Sequence, residues 1–155
     1  MAEKLSDLSD VYIPPKTNIN GQVLTYSNDD GKWEPQTIVR SKWVYISVSI
    51  TGVMQASEVL MQYTVPEAVV LPGGAPPGTN AVASIATSKN ITVVINKNQT
   101  QIGTIVWPTG SKIGVFNIPT KIWFVAGDVL QLVAPASPDS NLANIGVTFS
   151  GIRGG

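Results

Sequence analysis

Residues 43–50 read WVYISVSI. Side chains of an extended strand point alternately to opposite faces. Val44, Ile46, Val48 and Ile50 therefore share one face, and Ser47 and Ser49 lie on the other. That is the period of a half-buried β-strand. SEVLMQYTV (57–65) repeats it, with Val59, Met61, Tyr63 and Val65 alternating with Glu58, Leu60, Gln62 and Thr64. ITVVIN (91–96) and NIGVTFSGI (144–152) behave alike, the latter with Ile145, Val147 and Phe149 inward. The stretches 101–107, 111–118, 121–125 and 128–134 are apolar on both faces, as suits central strands or strands facing a second subunit.

The inventory agrees. There are 19 Val, 15 Ile and 13 Thr against 8 Leu, and β-branched side chains fit a pleated surface better than a helix. Turn-rich breaks separate the apolar runs. LPGGAPPG (71–78) holds three prolines and three glycines, which excludes a helix or a central strand. NKNQ (96–99) is a tight hairpin in which Asn98 can take a left-handed conformation. VAGD (125–128) and APASPDSN (134–141) are further corners. No stretch supports a helix of three turns. Strands at about ten-residue spacing with such turns predict an all-β fold, an antiparallel sandwich of jelly-roll type with about eight strands.

Residues 1–40 differ in kind. LSDVYIPPKTNIN has paired prolines and no sustained period, and reads as an extended arm. GQVLTYSNDDGKWEP (21–35) then reads as a small hairpin. Val23, Leu24 and Tyr26 lead into a turn at Asn28, Asp29, Asp30 and Gly31, and Lys32 and Trp33 lead out. A lone hairpin is marginal in water, so Val23, Leu24, Tyr26 and Trp33 are expected to contact a neighbouring subunit or another partner. The division is 1–40, arm and hairpin, and 41–155, sandwich.

Composition narrows the function. Ten basic and ten acidic residues cancel, and only 13% of the chain is charged. Polarity comes instead from 13 Ser, 13 Thr, 10 Asn and 7 Gln. A surface so short of charge suits a subunit covered by its neighbours. No two basic residues are adjacent, which argues against nucleic acid. No apolar run approaches the roughly 18 residues of a membrane span. MAEKLSDLSD has no apolar h-region, so the expectation is a product of the cytosol without an export signal.

Catalysis has little to work with. His and Cys are absent, which removes Ser-His-Asp and Cys-His systems and the commonest metal ligands. Beyond residue 40 the acids are Glu58, Glu67, Asp128 and Asp139. Asp128 after Gly127 reads as a turn residue opening a strand, and Asp139 after Pro138 as an Asx turn. GGAPPG lacks the Lys-Ser/Thr ending of a phosphate loop. Asn28–Gly31 lacks the ligand spacing of a calcium loop. No catalytic, cofactor or metal residue is expected. Trp43 and Trp123, inside apolar strands, are expected in the core, and Trp107, just before Pro108, at a rim.

Two segments carry a resemblance. LSDVYIPPKTNINGQVLTYSNDDGKWEPQTI (8–38) resembles a module of tailed-phage virion proteins, through Leu8, Ser9, Asp10, Val11, Gly21, Gln22, Val23, Leu24, Tyr26, Gly31, Lys32 and Trp33. FVAGDVLQLVAPASPDSNLANIGVTFSGIRGG (124–155) is similar to the ending of β-rich phage tail-fibre and head-fibre domains. Ala126, Gly127, Asp128, Leu130, Ala134, Pro135, Asp139, Leu142, Ile145, Gly151 and Arg153 carry that likeness. Asn96, Ile102, Gly103 and Thr104 fit an upstream hairpin of the same family, with Asn98-Gln99 standing where it has Asn-Gly. The resemblance implies a non-enzymatic virion component that is usually homotrimeric. Its arm would bind the tail, the baseplate or the major capsid protein. Its sandwich would be displayed for a host surface glycan or protein. A short tail fibre is the leading reading, and a capsid decoration (cement or head-fibre) protein the alternative.

Overall fold

Alternating β-branched residues cannot bury one face without a second layer, and the chain supplies it with more sheet. The computed structural model describes residues 22–27, 31–37 and 43–153. Among these residues no helix is long and apolar enough to cross a membrane, and every regular element is a strand. The chain divides into two compact units, Met1–Ser41 and Lys42–Gly155.

The first unit holds an antiparallel hairpin, β1 (Gln22–Ser27) and β2 (Lys32–Thr37), in a register running from Gln22↔Thr37 to Ser27↔Lys32. Gly31 has φ +70°, a conformation that costs glycine little. Tyr26 and Trp33 are cross-strand partners, and their rings meet edge-on with centroids 5.6 Å apart. Asn28, Asp29 and Asp30 lie outside the described residues.

The second unit contains β3 (Trp43–Val53), β4 (Val59–Thr64), β5 (Val69–Leu71), β6 (Asn80–Ile85), β7 (Ile91–Lys97), β8 (Thr100–Trp107), β9 (Val115–Asn117), β10 (Ile122–Phe124), β11 (Val129–Val133) and β12 (Ala143–Arg153). They make two five-stranded antiparallel sheets. One runs β10–β5–β12–β3, with β6 also on β12, and the other runs β4–β11–β7–β8–β9. The hub is β12. It pairs with β3 from Ile152↔Trp43 to Ala143↔Val53. On its other edge it pairs first with β6 and then, from Ile152, with β5. Thr79 fills the changeover, its Oγ1 accepting the Ser150 N–H at 3.1 Å. Ile46, Ile145, Val147 and Phe149 from the first sheet pack with Met61, Val93, Ile95, Ile105, Leu130 and Leu132 from the second in one core. This is the β-sandwich that the alternation predicts.

Three expectations are corrected. The second unit has ten strands rather than about eight, because the reading passed over β5, only three residues long, and β6, whose inward residues are the alanines Ala81 and Ala83. Val59 does not share the face of Met61. Leu132 pairs with Met61 and Val133 with Val59, leaving Leu60 as a bulge residue. The extra residue reverses the alternation, so Leu60 packs on the core and Val59 is exposed. The tryptophans are interchanged. Trp107 is 1% exposed and wholly in the core, whereas Trp43 and Trp123 are exposed.

The β7–β8 hairpin turns through Asn98 and Gln99, with φ +49° and +67°. Both central residues are thus left-handed, as in a type I′ turn. Asparagine tolerates that conformation, but glutamine pays roughly 1 kcal/mol or more for it. Gln99→Gly is expected to stabilise the fold by about 0.5–1 kcal/mol, read as a higher urea midpoint at unchanged m-value.

Candidate functional site

On β5, Val69 and Leu71 point into the core, so Val70 between them faces outward. Even so, Val70 is only 4% exposed, and it is no member of the core cluster. Its cross-strand neighbours flank it on both sides. Val70 pairs with Ile152 on one side and Trp123 on the other, and Ile152 pairs with Trp43. The row Trp43–Ile152–Val70–Trp123 thus crosses four strands on the outer face. It spans roughly 14 Å at ordinary strand spacing.

The row has defined edges. Tyr45, two residues along β3, is 59% exposed, and Trp123 is 56% exposed. The Tyr45 ring lies over Gly78, where an added Cβ would meet its Cε1 at 2.7 Å. This brings the proline-glycine loop of 71–78 to the border of the row. At the other end, Lys121 sets its Nζ 4.4 Å from the centroid of the Trp123 ring, a cation–π contact.

Charge is kept out of the two sheets of the second unit. In the ten strands of the second unit the charged residues are Lys97 and Arg153, each at the last position of its strand. The carboxylates serve turns and strand ends. Asp128 Oδ2 accepts the Val125 N–H at 2.8 Å, closing VAGD, and pairs with Lys97 at 2.9 Å. Its Oδ1 accepts from Asn98 Nδ2 at 2.7 Å. The hydrogen bond to Lys97, followed by those to Val125 and Asn98, lowers its pKa to about 2. Asp139 forms the Asx turn read from the sequence, its Oδ1 accepting the Asn141 N–H at 2.6 Å. It is also buried, and its other oxygen binds the 87–89 loop. Glu58 accepts the Gln55 N–H at 2.8 Å, and Glu67 pairs with Arg153 at 2.9 Å.

The residues expected to dock sit as follows. Tyr26 and Trp33 are exposed and stacked edge-on, and Leu24 is half-buried opposite Pro35. Val23 pairs with Gln36 in the backbone register. Sequence reasoning missed the outer row. Its signal was present in the alternation, since Trp43 and Tyr45 fall on the serine face of WVYISVSI. Among the described residues no group of three His, Cys, Asp or Glu could hold a metal ion. No protein-family model, no curated protein and no solved structure matches the chain.

Proposed function

We propose that the protein is a non-enzymatic structural component of a tailed-phage virion. In this reading it is a short homotrimeric fibre. The arm of residues 1–40 docks on the tail or baseplate, and the sandwich is displayed for attachment to a host surface. The observation that carries it is an exposed tryptophan row on sheets whose charges are confined to strand ends and turns. Such a surface favours burial against copies of itself. The engagement of Glu58, Glu67, Asp128 and Asp139 in bonds within the fold supports a non-enzymatic role. The strand orders β3–β12–β6 and β4–β11–β7–β8, with Ile113 bridging to Val82 of β6, support the jelly-roll form of the sandwich.

Light scattering tests the assembly. A trimer gives about 49 kDa, three times 16.4 kDa. The double variant Trp43→Ser, Trp123→Ser is expected to keep its β-type circular dichroism and fall to the monomer mass. A trimer that persists in that variant places the subunit contact elsewhere. Virion incorporation that survives deletion of residues 1–40 removes the docking role of the arm. The second reading, a capsid decoration protein, is favoured by the short link between hairpin and sandwich, where five residues separate β2 from β3. Cryo-EM density at threefold or sixfold capsid positions decides for decoration and against the tail.

A further inference from the structure

On the other sheet, the β7–β8 turn, β4 and β11 enclose an open cleft of about 220 Å³ lined by Gln62, Asn98, Gln99, Val129 and Gln131. Four of the five are neutral amides. The geometry points to a binding site here for a neutral saccharide, one sugar unit of a longer chain. This inference rests on the reading that the sandwich is displayed for host attachment.

Two parts of the cleft are tied down before any ligand arrives. Asn98 is held at both ends, its Oδ1 accepting the Val129 N–H at 2.8 Å and its Nδ2 donating to Asp128. Asp128 is in turn held by Lys97, and the two charges neutralise each other at 2.9 Å. Gln131 donates from Nε2 to Gln62 Oε1 at 3.1 Å. That bond leaves the Gln62 amide hydrogens and the Gln131 carbonyl for an incoming group. A carboxamide donates and accepts at neighbouring atoms, and so do vicinal hydroxyls. With no net charge an anion gains nothing here, and with Val129 as its one apolar lining residue the cleft offers little to a peptide side chain. Its volume lies below the roughly 300–1,000 Å³ of sites that engulf a drug-sized molecule, which suits one unit of a chain.

Gln99 is the second observation. It occupies the left-handed position that glycine fills at lower cost, with φ +67°, and it is one of the residues that line the cleft. Backbone strain retained at a position where glycine would relieve it calls for a use of the side chain. Contact with ligand is that use.

The test is a printed array of neutral hexose and N-acetylhexosamine oligosaccharides beside uronic-acid and sialylated ones. NMR titration of the full chain with the best binder follows. A neutral saccharide is expected to bind with Kd about 1 mM per site. Gln99→Gly and Gln131→Leu should each weaken it at least about tenfold. Gln99→Gly should do so while raising the melting temperature, a pairing that a merely structural glutamine does not give. Binding of acidic saccharides alone, of none, or binding unchanged in both variants overturns the cleft. Any of these outcomes leaves the virion reading standing if cryo-EM still finds the protein on the particle. Saccharide binding by a protein absent from the particle sinks that reading instead.

Discussion

Asp139→Ala is expected to lower the melting temperature by roughly 10 °C, among the largest effects of any single substitution in the protein. The carboxylate joins two loops far apart in sequence. Its Oδ2 accepts the Ser88 N–H at 2.7 Å, the Ser88 hydroxyl at 2.6 Å and the Lys89 N–H at 3.1 Å. Its Oδ1 accepts the N–H groups of Asn141 and Leu142 at 2.6 and 3.3 Å. Alanine leaves these donors facing each other without an acceptor, and a buried donor without a partner costs more than the bond was worth. Asp139→Asn is expected to be nearly as damaging, because an amide NH₂ would point at donors.

The same carboxylate sets an acid limit. The Ser88 hydroxyl, ahead of the other bonds and against the opposing effect of burial, holds the Asp139 carboxyl well below the usual range. Asp128 is lowered to about 2. A folded pKa below the unfolded value of 3.8 means the unfolded chain binds protons first. The stabilisation is therefore complete above about pH 4 and is lost as pH falls through the folded values, near 2 for Asp128 and lower for Asp139. Scanning calorimetry should find a melting temperature level above pH 4 and falling steadily below it, with a shallower fall in Asp139→Ala. An unchanged acid slope in that variant would remove Asp139 from the account.

Gly114→Ala is expected to cost about 3 kcal/mol. Its added Cβ would stand 2.7 Å from Trp107 Cε2 and 2.8 Å from Ile105 Cγ2, and both side chains are fully buried. The clash is with a rigid ring, so relief requires the strand to move. The unpartnered indole N–H of Trp107 belongs to the same arrangement, since the ring is pressed onto a glycine in an apolar layer. In a double-mutant cycle with Trp107→Phe the two costs should add to less than their sum, because the smaller ring makes room for the methyl. Strict additivity would show that Gly114 matters for another reason.

Much of this architecture could be read from alternation. β3 and β12 announce themselves because, over their central residues, one face is apolar and the other holds serine, threonine or glycine. The corners at 125–128 and 134–141 follow from the local bonding of Asp128 and Asp139. The sequence was opaque where both faces are apolar. In β8, Val106 looks as suited to a core as Ile105 and Trp107, so the buried tryptophan could not be told from the exposed ones. The bulge at Leu60 was hidden because it depends on the partner strand β11. The amide cleft was hidden for a similar reason, since Gln62, Gln99 and Gln131 meet only through sheet pairing.

The pairing of β3 with β12 has a consequence during synthesis. Ser47 and Thr148, bonded through their hydroxyls, are 101 residues apart, which at about 5–20 residues per second is roughly 5–20 s of translation. For that interval WVYISVSI leaves the ribosome without the strand that will satisfy its backbone, carrying neither a charge nor a proline to deter pairing with another nascent chain. The eight residues that make the fold readable are thus also its most exposed hazard on the polysome. A chaperone that holds extended apolar segments would find its first client there.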